Sequence, residues 1–179
     1  MTGKKLKESK PESIADRQIV ITRLYYHSRE QVFEAWTNPK MIGQWFGPMG
    51  FRITTQEIAI KPGGMWKFTM HGPDGVDYPN VIVYKEIVPP SRISLLHGAS
   101  INDPNTFETM VTFEDRGEAT FLTMKSIMPS IAHKEFVIKE HHAIEGGNQT
   151  LTRLDEFLEG AKKSANSQGK KPVNSAKPK

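Results

Sequence analysis

An α+β domain, with an antiparallel sheet curled around a long C-terminal helix, is the fold class this sequence predicts. Three observations predict it. Between Phe51 and Met128, segments of alternating apolar and polar residues follow one another with turn residues between them. The longest segment of helical spacing lies at the C-terminal end. Two short helix signals stand between the first strand and the rest of the sheet.

The elements follow in order. IADRQIVITRL (14–24) reads as a strand rich in β-branched residues. In SREQVFEAW, Ser28 is an N-cap with Gln31 three residues on, a capping box, and Val32, Phe33 and Trp36 form the apolar stripe. Asn38 is expected to cap a second short helix with Pro39 at its first position, and Gly47-Pro48 to end it. FRITTQEIAI (51–60) and MWKFTM (65–70) are strands joined by KPGG, a type I or II turn around Pro62. MWKFTM puts Trp66, Phe68 and Met70 on one face. PNVIVYKEI (79–87), RISLLH (92–97), TFETMVTFE (106–114) and ATFLTMKSIM (119–128) continue the series as an antiparallel meander. From about Ala132 to Lys163, Ile144, Leu151, Leu154, Phe157 and Leu158 recur at helical spacing. Gly146-Gly147 inside this helix implies a kink, or a close approach that a Cβ would obstruct. The sheet must hide one face, and the final helix is the element large enough to cover it. A space is then left between them, closed at one end by the two short helices.

The length of 179 residues fits one domain with a real core. The net charge of +4 suggests nucleic acid until it is located. Residues 1–12 hold four lysines and two glutamates, and 161–179 hold six lysines and no acid, so 13–160 keep 24 − 10 = 14 basic and 20 − 2 = 18 acidic residues. The domain at 13–160 is therefore mildly acidic and offers no basic groove to a nucleic acid. The flanking stretches 1–12 and 161–179 read as disordered basic tails, poor in the apolar residues that would offset ordering entropy. No cysteine is present, no apolar run is long enough to span a bilayer, and the N-terminus lacks a signal-peptide centre. A cytoplasmic protein with no membrane partner is the expectation.

Several stretches together carry a family resemblance: VFEAWTNPKMIGQWFGPMGF (32–51), KPGGMWKFTMHGPDG (61–75), YKEIVPPSRI (84–93), VTFED (111–115) and IEGGNQTLTRLDEFL (144–158). In this order they resemble the START-like, helix-grip superfamily, also called SRPBCC. Within it the chain is similar to the bacterial homologues of the activator of the ninety-kilodalton heat-shock-protein ATPase. The resemblance implies an internal apolar cavity but no single ligand or reaction. It implies a lining drawn from Trp45, Phe46, Trp66, Phe68, Tyr84, His97, Phe113, Met124, His142 and Leu151. It also explains NPKMIGQWFGPMGF (38–51), too apolar for a solvent loop and too broken for a long helix. That segment would close the cavity's mouth with its aromatics inward, unless Trp45 and Phe46 are ordinary core.

Chemistry-bearing clusters are few. His141 and His142 are adjacent and face different sides of a helix, HExxH is absent, and His97 meets His142 only if folding brings them together. No metal and no cofactor are expected. No GxSxG occurs, and Ser94, Ser100 and Ser126 have no activating neighbour in sequence. Of the strand carboxylates Glu57, Glu86 and Glu108, Glu86 lies where the family has a similar glutamate. Facing inward it would titrate abnormally; facing outward it would be a cross-strand partner. Three functions follow, in order. The first is a carrier or sensor binding a small hydrophobic molecule, aromatic or lipid-like, without catalysis. The second is a cyclase- or aromatase-like enzyme using the same cavity through Tyr84, Glu86, His97 and His142. The third is a chaperone-partner module. The resemblance also admits a homodimer.

Overall fold

The computed structural model describes residues 12–168. Helix α1 (Ile14–Arg17) leads into strand β1 (Gln18–Tyr25), followed by α2 (Arg29–Thr37) and α3 (Ile42–Trp45). Strands β2 (Arg52–Ile58), β3 (Met65–His71), β4 (Asp77–Val88), β5 (Arg92–Gly98), β6 (Phe107–Asp115) and β7 (Thr120–Ile127) form the meander. Helices α4 (Ile131–His141) and α5 (Ala143–Gln168) complete the described chain. The strands make one antiparallel sheet in the order β1-β7-β6-β5-β4-β3-β2. This is the predicted fold: a curved sheet, α5 on its concave face and two short helices after the first strand.

Register assigns the faces. Ile21, Met124, Val111 and Ile93 stand opposite one another across β1, β7, β6 and β5. Trp66, Ile82 and His97 do the same across β3, β4 and β5. Both rows lie on the concave side, where α5 packs through Leu151, Leu154 and Leu158. Bulges at Gln56 and Lys85 shift the register of β2 and β4 and bend the sheet around the helix. Tyr25 ties β1 to α5 by donating its hydroxyl to the Leu151 carbonyl at 2.9 Å.

Local chemistry corrects the expected boundaries in four places. Ile14–Arg17 is helical rather than the start of a strand. Ser13 and Asp16 form a capping box, and these local bonds outweigh the strand propensity of one exposed isoleucine. Asn38 ends α2 instead of capping α3. Its N–H donates to the Glu34 carbonyl, its Oδ1 accepts from Lys40 N–H at 2.9 Å, and α3 begins later at Ile42. The C-terminal helix is two helices. The break falls at His142, which adopts a left-handed conformation at φ 49°, and the glycine pair belongs to the first turns of α5. Finally, α5 runs on to Gln168, into the stretch read as tail. A packed helix extends readily through Ala161, Lys162 and Lys163, because each added residue gains a hydrogen bond without a new nucleus. Glu12 is also engaged, accepting from Ile131 N–H at 3.0 Å. Residues 1–11 and 169–179 lie outside the described residues. The capping box at Ser28 and Gln31 forms as predicted.

Gly147 resolves the choice posed by the glycine pair in favour of close approach. A Cβ there would press on Ile21 Cδ1 and stand 3.5 Å from Met124 Cε. Bare backbone at this point lets α5 sit directly on β1 and β7.

Candidate functional site

The segment from Asn38 to Phe51 is fastened to α5. Arg153 Nη1 donates to the carbonyls of Phe46, Gly47 and Pro48 at 3.2, 2.9 and 3.0 Å. Met49 N–H donates to Gln149 Oε1 at 3.1 Å. Gly47 turns the chain at φ +96°, a conformation that favours glycine. Trp45, fully buried, donates its indole N–H to the Ala35 carbonyl at 3.1 Å and so belongs to the core under α2.

Phe46 is the residue this fastening holds over the concave face. Its ring centroid lies 5.3 Å from Trp66, 5.9 Å from Phe68 and 6.4 Å from His97. On its other side stand Trp45 at 5.7 Å and Trp36 at 6.2 Å. Most of these contacts are edge-to-face, the arrangement favoured by ring quadrupoles. Phe46 is only half-buried, so its ring packs between segment and sheet while still reaching the surface.

Three polar side chains stand in this apolar setting. His97 Nε2 lies 2.8 Å from Asn80 Oδ1, and its ring is 5.0 Å from Phe107. Burial pushes His97 down to about 4, against a small opposing pull from Asp103. The Tyr84 hydroxyl is buried with no partner among the described residues, and burial raises its pKa. Trp36 Nε1 is likewise buried and unpartnered. Leaving a buried donor unmade costs about 1–3 kcal/mol, so such groups need an explanation.

The His97 shift fixes a pH dependence. The folded chain holds this ring neutral down to about pH 4, whereas an unfolded histidine takes up its proton near pH 6.5. Between these values the unfolded state binds more protons, so this group's contribution to stability falls as pH falls through the window. His97→Phe is expected to flatten that part of the curve. Urea unfolding at pH 7 and pH 5 reads the difference, and an unchanged slope would contradict it.

The predicted lining separates into groups. Phe46, Trp66, Phe68 and His97 meet directly. Tyr84 shares their face of the sheet. Phe113 lies farther along, against Phe33 and Trp36. Met124, partly buried, and Leu151, fully buried, pack between sheet and α5. His142 does not join them: it is exposed at the junction of α4 and α5. Nor does Glu86. The bulge at Lys85 turns it to the outer face, where it takes both Arg92 Nε and Nη2 at 3.0 Å. That hydrogen bond lowers the Glu86 pKa. Glu57 and Glu108 are also on the outer face, opposite Lys67 and Leu96. The set Tyr84, Glu86, His97 and His142 therefore does not converge, and the carboxylate that acts on His97, Asp103, already accepts from the backbone of its own loop. Two contributors escaped the sequence reading, Asn80 and Arg153. Asn80 had a signal: it is the polar residue in phase with Ile82 and Tyr84.

The outer face carries a groove of about 470 Å³ between β2–β5 and the loop after β5, lined by Glu57, Met65, Lys67, Val81 and Ile101 among others. It has no aromatic ring and no buried unpartnered polar atom. The concave face is the better candidate site.

A seven-stranded curved sheet gripping a long C-terminal helix defines a protein of the START-like, helix-grip class. A family described as Activator of Hsp90 ATPase homolog 1-like protein matches residues 26–159, and the chain belongs to that family. Solved structures agree in fold. A protein of Arthrobacter aurescens is 19% identical with a TM-score of 0.75, covering 86% of this chain and 92% of its own. Protein Ms6760 of Mycobacterium smegmatis is 21% identical with a TM-score of 0.74, covering 83% and 95%. A protein of Chromobacterium violaceum is 22% identical with a TM-score of 0.69, covering 80% and 97%. No curated protein matches the chain. Among the described residues, no helix is long and apolar enough to cross a membrane, and no group of His, Asp and Glu is placed to hold a metal ion.

Proposed function

We propose that the protein binds a small hydrophobic molecule between the concave face of the sheet and α5, as a carrier or sensor. The observation that carries this reading is the pair of buried, unpartnered donors, Tyr84 Oη and Trp36 Nε1, on the ring-lined side of the sheet. An apolar pocket with a few polar groups that fix orientation is the usual form of a small-molecule site. Phe46 occupies the mouth in the ligand-free chain, and a ligand enters by displacing it. The fold family admits ligand-binding and activator roles alike, and the separation of Glu86 and His142 from Tyr84 and His97 favours binding over cyclase chemistry.

Tryptophan fluorescence and thermal melting test the reading together. Trp36, Trp45 and Trp66 are the chain's three tryptophans, and all are in or beside the site. A ligand from a panel of flavonoids, fatty acids and polycyclic aromatics is expected to change the emission and raise the melting temperature. Trp66→Phe should alter affinity while keeping the fold. If no member of the panel moves either signal, the reading fails, and the surface-partner role suggested by the family's name takes its place.

A further inference from the structure

We propose that His97 Nδ1 is the hydrogen-bond acceptor for the ligand, so that the site selects neutral aromatic molecules bearing a ring hydroxyl or ring N–H donor. This rests on the concave site holding an aromatic ligand.

The argument begins at Asn80. Its Nδ2 donates to the Tyr78 carbonyl at 2.9 Å, which fixes the amide's orientation. The opposite orientation would set Oδ1 against that carbonyl, two acceptors facing each other. Asn80 Oδ1 therefore faces His97 Nε2 at 2.8 Å and can only accept. The ring must carry its proton on Nε2. With burial keeping the imidazole neutral, Nδ1 is left as a bare acceptor. No described residue bonds to it. Around it stand Phe46, Phe68 and Phe107, so a flat ring that displaces Phe46 would lie against aromatic faces with its edge toward Nδ1.

Charge completes the selection. An anionic ligand would have to compete at Arg153 with the carbonyls of Phe46, Gly47 and Pro48, which already take its Nη1. The nearest acid, Asp103, already accepts from Ala99 N–H at 2.7 Å and Asn105 N–H at 2.8 Å. A charged group moved into this apolar setting would keep its full desolvation cost. A neutral donor loses little and gains the acceptor that no described residue uses.

Three probes of nearly equal size isolate the donor: naphthalene, 2-methoxynaphthalene and 2-naphthol, titrated into the full chain by calorimetry. We expect 2-naphthol to bind about tenfold tighter than its methyl ether. In His97→Phe that ratio should collapse toward one, whatever the change in the methyl ether's own affinity. Long-range proton–nitrogen spectra of the unaltered protein give a readout independent of any variant: saturating 2-naphthol should move the His97 Nδ1 resonance upfield, and naphthalene should not. Equal affinities for 2-naphthol and its ether, or a ratio that survives in His97→Phe, would overturn the proposal and leave the binding function standing. Failure of all three probes to bind would overturn both.

Discussion

Gly147→Val is expected to destabilise the fold by about 3 kcal/mol, the upper end of the range for overpacking a filled core. The new Cβ meets Ile21 Cδ1, and Ile21 is itself buried, so the isoleucine has little room to turn away. Branching at Cβ adds a further cost within a helix. The cause can be isolated by a double-mutant cycle. Gly147→Ala adds only the Cβ, and Ile21→Val removes the atom it strikes. Ile21→Val alone should cost about 1 kcal/mol. The pair should cost clearly less than the sum of the singles, by about 1 kcal/mol or more. Urea unfolding measures all four corners. Strict additivity would show that α5 reaches the sheet by some route other than this contact.

Arg153→Met should lower stability by about 2 kcal/mol, or roughly 4–8 °C in melting temperature for a chain of this size. The figure stays modest because the guanidinium is partly exposed and one nitrogen, Nη1, serves all three carbonyls. Methionine keeps the apolar stem and removes the donors. The larger consequence is kinetic. With Phe46, Gly47 and Pro48 no longer held from α5, the plug opens more often, and a bound aromatic should leave faster than it does from the unaltered protein. Stopped-flow displacement reads the exit rate. An unchanged exit rate with reduced stability would make Arg153 a structural staple without a gating role.

The fold was legible because the sheet announces itself through period two. Trp66, Phe68 and Met70 alternate with Met65, Lys67 and Thr69, and turn residues punctuate the strands. The cap at Ser28 was equally plain, since its partner Gln31 is local. The site was legible only in its apolar half. Aromatic residues in a broken segment marked the cluster around Phe46, but alternation alone puts Glu86 on the same face as Tyr84. The bulge at Lys85 reverses that, and it leaves no mark in the pattern of residue types. His142 looked helical because the chain on both sides is helical, and a single left-handed residue separates α4 from α5. Nothing in LTRLDEFL singles out Arg153. Its partners are backbone carbonyls more than a hundred positions away, which carry no side-chain signature. Asn80 and His97 lie seventeen positions apart and become neighbours only through the pairing of β4 with β5.

The central claim is that an apolar ligand sits on the concave face beneath Phe46. Intermolecular NOEs test it most directly, with methyl-labelled protein and saturating 2-naphthol. The predicted contacts run from the naphthol ring to the methyls of Ile82, Met124 and Leu151, which face α5 or belong to it. NOEs confined to Val83, Leu96 and Ile101 would place the ligand on the outer face of the sheet and contradict the account.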